Sequence, residues 1–243
     1  MPRETEAVDR LVQESSYAFK ATVRQINASN EPSVRGVPGL IVAHVDEAFR
    51  ASPSVGTGGL RGREVTIRLA AEGAEVGEKL ILFATEWVYG INIALREIGR
   101  RKATREVERE VVEAVERLPI RHLESRLDGG VRVIEGEVRE IKPSPIPDGF
   151  TLRSPNYHLA VVKVVAHLKG KGGESVSVLF PTNPAPPWRS APRLKLHQKA
   201  VFILRHETAL KAPAQFFTAL DPADVQQRDM VKKIKDLLKE ERS

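Results

Sequence analysis

The chain reads as a mainly β protein made of two tandem, duplicated five-stranded barrels, each followed by an amphipathic helix. Three observations lead there. Along the 243 residues, short runs carry apolar residues at alternate positions, the period of a half-buried strand. Four such runs recur in the same order in the second half, with only loop lengths differing. Each half then closes on a segment whose apolar residues return every three or four positions, the period of a helix with one buried face.

The first strand is expected at Phe19–Ile26, which lies over Ile134–Ile141. Ile41–Ala51 lies over Ala160–Gly170, with Val45 on Val164, Phe49 on Leu168 and Arg50 on Lys169. Val65–Leu69 matches Val176–Phe180. Val76-Gly77-Glu78-Lys79 and the run to Ala84 match Leu196-His197-Gln198-Lys199 and the run to Leu204. That last run is apolar on both faces, so it is expected to be the most buried strand of each copy. A weaker fifth strand is expected at Tyr89–Leu95 and at Phe216–Leu220.

The first helix, Thr104–Leu118, would bury Val107, Val111, Val112, Val115 and Leu118, and Pro119 would end it. This sets the domains at 1–118 and 119–243. The second helix would open on Asp221-Pro222-Ala223-Asp224, a capping aspartate with proline at the first helical position. It would bury Val225, Met230, Val231, Ile234, Leu237 and Leu238. The lead-ins agree as well: Val8 and Val12 precede copy one, and Leu123 and Leu127 precede copy two.

Five short strands with a helix suggest a small barrel of the oligonucleotide/oligosaccharide-binding type. The runs "VDEAFRAS", "GREVTIRL" and "VGEKLILFA" resemble the barrel of the netrin and tissue-inhibitor-of-metalloproteinases family. The same marks recur as Val164–Lys169 and Gln198–Leu204. The resemblance implies architecture only. The family's cysteines are absent, including the amino-terminal one with which inhibitors chelate a protease zinc, so no site residue carries over.

Composition bounds the function. Hydrophobic residues make up 41% and charged ones 29%, enough for a core and a solvated surface. With no cysteine there are no disulfides, thiolate metal sites or thiol nucleophiles. The start lacks an apolar signal region and no run approaches a membrane span, so a soluble, cytoplasmic protein with no membrane partner is expected. The net charge of +6 is uneven. Through Leu118, 17 Lys+Arg face 18 Asp+Glu; the remainder carries 21 against 14, a net of +7. Any attraction to an anionic partner belongs to the second half.

Patterns for catalysis fail. Gly56–Gly62 has neither the glycine spacing nor the following helix of a nucleotide loop, and reads as a flexible connection. His206-Glu207 lacks a second histidine at position 210, which is Leu. The six histidines show no ligand spacing, and Glu106, Glu108, Glu110, Glu113 and Glu116 read as a solvated helix face. No catalytic residue, cofactor or metal is expected.

Three features point to a partner. Pro181–Arg193 is a proline-rich connection carrying Trp188, Arg189 and Arg193, types common at interface hot spots. Arg100 and Arg101 sit in a cationic run (Arg96 to Arg105) leading to the first helix, where cations oppose the macrodipole. They would serve an anion, an acidic partner or, preferred, the glutamates of that helix. Trp87 and Tyr89 fall at the turn after the central strand, placed either to stack bases or to pack an edge. The expected function is a non-enzymatic protein-interaction module, an adaptor or accessory component of a larger assembly. The alternative is nucleic-acid binding through the basic second copy.

Overall fold

The computed structural model describes residues 4–53, 55–71, 73–90, 92–144, 156–182, 190–206 and 216–240, with the side chains of 4–7 and of Tyr89 left aside. Its contacts divide the chain into Met1–Pro119 and Ile120–Ser243.

The first unit opens on helix α1 (Glu4–Glu14), then β1 (Tyr17–Ile26) and β2 (Leu40–Arg50). A short helix, α2 (Gly56–Leu60), leads to β3 (Glu64–Arg68), β4 (Lys79–Tyr89) and β5 (Ile93–Lys102). The strands close in the order β1-β2-β3-β5-β4, with β4 returning to β1 and β3 running parallel to β5. This is the predicted five-stranded barrel, and its closure leaves no sheet edge. Alternate residues of every strand fill it: Phe19, Val23, Ile41, Val45, Ile67, Leu82 and Leu95 are fully or almost fully buried in one cluster.

Helix α3 (Arg105–Asp128) follows, then β6 (Arg132–Pro143), β7 (Tyr157–Lys169), β8 (Ser175–Pro181), β9 (Lys199–Leu204), β10 (Phe216–Thr218) and β11 (Val225–Gln226), and helix α4 (Val231–Glu240). In the second unit the sheet order is β10-β8-β7-β6-β9-β11. Its inner core holds Ile134, Val138, Val162, Val178, Phe202 and Phe217. The five-stranded closure expected here is reduced. The sheet curls, but among the described residues β9 and β10 meet only through the Arg205–Thr218 bridge. The three residues of β10 are too few to repeat the long ladder that β5 makes with β4.

The duplication is visible bond by bond. Ladder irregularities interrupt β1–β2 at Ala18/Phe19, Lys20/Ala21 and Val23/Gln25, and β6–β7 at Val133/Ile134, Glu135/Gly136 and Val138/Glu140. Ser16 N–H donates to Ala84 as Val131 N–H does to Leu204. The turn before β4 closes on Gly77 N–H to Val23, and its counterpart on His197 N–H to Val138. A second layer repeats too. Val8, Val12, Phe49, Ile81 and Phe83 pack outside the first barrel as Leu123, Leu127, Leu168, Val201 and Ile203 do outside the second. Arg50 caps the α1 carbonyl of Val12, and Lys169 donates to that of Leu127 at 2.9 Å.

Several expectations need correcting. Pro119 does not end the first helix; α3 continues to Asp128. An interior proline loses one hydrogen bond at a cost of about 3 kcal/mol. The helix tolerates it because Val111 and Ala114 are buried on the first barrel and Leu123 and Leu127 on the second unit. Val112 points outward, 41% exposed. Gly56–Leu60 is helical, not a flexible link, because burying Leu60 in the barrel core holds it. The capping box of Asp221 and Asp224 exists, but it closes a 3₁₀ turn at Pro222–Asp224. Val225 then pairs in β11 with Phe202, and the helix proper starts at Val231.

Candidate functional site

The structure separates the residues that sequence grouped. Arg100 and Arg101 lie on β5, opposite Leu82 and Ile81 of β4, not at a helix start. The strand runs on because its register with β4 extends to Lys102. Arg100 therefore does not answer the helix glutamates. It donates to the almost fully buried Glu97 at 2.8 Å and to the Ala71 carbonyl at 3.1 Å. Arg101 donates to the Arg100 carbonyl at 2.8 Å. One of those glutamates, Glu108, takes Lys20 at 2.7 Å instead, and this hydrogen bond raises the Lys20 pKa.

Thr85–Tyr89 continue β4, so the turn falls after Tyr89. Trp87 is half-buried against Val34, Leu40 and Ala94, with the Arg68 guanidinium 5.5 Å from its ring centroid. It packs an edge. Arg193 donates to the Pro181 carbonyl. Trp188 and Arg189 lie outside the described residues.

Barrels of this type take extended ligands on the second and third strands and the loops beside them. In the first unit the chain's own β1–β2 connection lies against β3 there. Glu31, only 2% exposed, receives Asn92 N–H at 2.7 Å and the Ser33 hydroxyl at 2.6 Å. Asn30 accepts from the Thr66 hydroxyl of β3 at 2.5 Å and donates to Glu64 at 2.9 Å. Its carbonyl receives the Asn92 side chain at 2.6 Å. Apart from the Ser33 bond, these join positions far apart in sequence, so no local signal could have disclosed the clamp.

In the second unit a polar cavity of about 430 Å³ is lined by Arg126, Arg205, His206, Thr218 and Asp221. It is also lined by Ser190, where the described chain resumes after Arg189. Its charges are largely committed. Arg126 holds the buried Asp224 at 2.5 Å, and Asp224 also receives Leu220 and Asp221 N–H groups at 2.9 Å. Arg205 donates to the α3 carbonyls of Ser125 and Arg126, capping that helix. Burial, then the neighbouring Arg126, lowers the Arg205 pKa. Burial alone would raise the pKa of Asp221, but Ala223 N–H and then His122 outweigh it, and the net shift is downward. The cluster fixes the end of α3 to the turn before β11.

Arg132 is different. Its guanidinium lies 5.4 Å from the Phe217 ring centroid, and its Nε and Nη2 are buried without an acceptor among the described residues. A buried donor left unsatisfied costs about 1–3 kcal/mol. Sequence comparison of the copies held the signal: Arg132 aligns with Tyr17, which is fully buried and bonds Ser52 at 2.8 Å.

Among the described residues no cluster of His, Cys, Asp and Glu could hold a metal ion, and no helix is long and apolar enough to cross a membrane. Neither known protein families nor curated proteins yield a match to this chain.

Proposed function

We propose that this chain is a non-enzymatic protein-interaction module, an adaptor or accessory component of a larger assembly, in which the first barrel is scaffold and the second carries the contact. One observation bears most of this reading: the clamp of Glu31, Asn30, Asn92 and Thr66 occupies the first barrel's ligand face. An extended chain would have to displace this clamp to reach β3. The proline-rich segment with Trp188, Arg189 and Arg193 belongs to the contact in this proposal, whereas Arg100, Arg101 and Trp87 serve the fold. The likeness to the netrin and inhibitor family is proposed as one of architecture, and the compartment as the cytoplasm.

Crosslinked capture from the native host tests it. Wild type should retain a discrete protein partner, and Trp188→Ala with Arg189→Ala should lose it at an unchanged melting temperature. Retention by the double variant would remove that segment from the contact.

Nucleic-acid binding is the second reading, favoured by one observation. Lys232, Lys233, Lys235 and Lys239 are all exposed on α4, in the half that carries the net charge of +7. Binding of a single-stranded oligonucleotide that collapses with added salt would support it. No binding at low salt removes it.

A further inference from the structure

The first barrel is stopped at one end by α2, whose Leu60 is buried in its core. The other end, where β1 finishes and β2 starts, holds a cavity of about 540 Å³. Ile26, Leu40, Leu69 and Ala74 line it, with Asn27 and Pro38 from the β1–β2 connection. Small-molecule sites have volumes of about 300–1,000 Å³. In a chain with 29% charged residues, Asn27 is the one polar side chain among the described lining residues, and none of them is charged.

The second unit shows what this end holds when it is filled. The turns before β4 and β9 repeat the same bond: Glu78 N–H donates to the Glu75 carbonyl and Gln198 N–H to that of Lys195, each at 3.1 Å. Ala74 therefore corresponds to Leu194. The ladders pair Leu40 with Arg68 and Leu159 with Leu179, so the next residue, Leu69, corresponds to Phe180. Leu194 and Phe180 are buried in the second core, and Ile141 packs against that cluster. In the first unit these two fillers shrink to alanine and leucine, and Ile26, the counterpart of Ile141, is left 48% exposed. The connection after β3 is tied to β5. Glu97, almost fully buried, takes the Ala70 N–H at 2.9 Å, and Arg100 donates to the Ala71 carbonyl at 3.1 Å. Leu69 N–H is committed as well, to the Gly39 carbonyl at 2.9 Å.

We infer that this end of the first barrel binds an uncharged small molecule with an aliphatic or aromatic body, seated where Leu194 and Phe180 lie in the second. The wall selects this class in two ways. An ionic group brought against an uncharged lining would lose its hydration without gaining a partner. The Leu69 and Ala70 N–H groups and the Ala71 carbonyl are already bonded, so an entering peptide would not recover on them the main-chain hydrogen bonds it gives up in water. Burial of apolar surface is what the wall offers, with the Asn27 amide for one hydroxyl or carbonyl. This goes beyond the protein-interaction reading, in which the first barrel is scaffold, and does not depend on it.

Fluorescence of N-phenyl-1-naphthylamine, an uncharged aromatic probe, tests the site on the full chain, with 1-decanol and decanoate as competitors. Wild type should bind the probe saturably, and decanol should displace it at a concentration that leaves it bound in decanoate. Ala74→Leu, which installs the residue of the second copy, should weaken binding about tenfold or more at an unchanged or higher melting temperature. Ile26→Lys, at the exposed lip, should weaken it too without altering a buried position. Absence of saturable binding, or wild-type affinity in either folded variant, overturns the site. Equal displacement by decanoate and decanol overturns the uncharged class. Displacement by the peptide Ser190–Lys195 at a lower concentration than decanol makes a protein segment the occupant and overturns the small-molecule assignment.

Discussion

At the scale of single residues, the paired turns before β4 and β9 form an internal experiment. Gly77 has φ +86° and its counterpart His197 has φ +63°, both in the left-handed region. A side chain there pays about 1–2 kcal/mol that glycine avoids, against glycine's larger entropy in the unfolded chain. His197 contributes little in return, since its ring is largely exposed and 3.7 Å from Glu137. His197→Gly should therefore raise the stability of the second unit by about 0.5–1 kcal/mol, and Gly77→Ala should lower that of the first by about 1–2 kcal/mol. Urea unfolding of the two variants gives both signs. Asp221 supplies a pH dependence. Its folded pKa lies below the ordinary 3.8. The stability it contributes is thus full above about pH 3.8 and is lost as pH falls from there through the lower folded value. Asp221→Asn, which keeps a capping side chain, should lose less stability than wild type on acidification through that window. Parallel melting curves of the two proteins below pH 4 would contradict the assignment.

Among elements, the strands were legible and their ends were not. Val23 and Val138, or Phe83 and Ile203, hold equivalent seats because alternation is imposed locally by the pleat and the buried face. Arg96–Lys102 read as a cationic approach to a helix, since a solvated strand face carries no apolar alternation to announce it. Its strand state comes from the ladder to β4 across the turn. The sequence predicts an end to α3 at Pro119 for a similar reason. The proline's penalty is local, while burial of Leu123 and Leu127 is tertiary. The clamp on Glu31 and the unmet donors of Arg132 were invisible, because both depend on long-range partners or their lack. Helix α4 gives the prediction at this scale. Ile234 and Leu238 are buried on Val133, Val201 and Ile203. Ile234→Ala should cost about 2–5 kcal/mol. Truncation after Arg228 should uncover that layer and cause aggregation, seen by light scattering. A soluble truncation with native circular dichroism would mean that the helix serves an outside partner.

For the whole molecule, the question is whether two copies of one scaffold are two folding units. Among the described residues, every buried cluster draws its members from one side of residue 119. The first unit holds its barrel core, the layer under α1 and the first part of α3, and the patch around Trp87. The second holds its curled sheet, the layer under α4 and the last turns of α3, and the patch around Tyr157. A chain of about 120 residues buries enough of its surface to fold alone. Fragments 1–119 and 120–243 should therefore each fold and melt cooperatively, and the intact chain should show two calorimetric transitions. The first fragment, with its closed barrel and plugged end, should be the more stable. Among the described residues the second joins β9 and β10 through a single bridge, so it should melt earlier. A fragment 120–243 that stays unfolded until 1–119 is added would show that the copied barrel needs its twin, and the two would have to be treated as one cooperative domain.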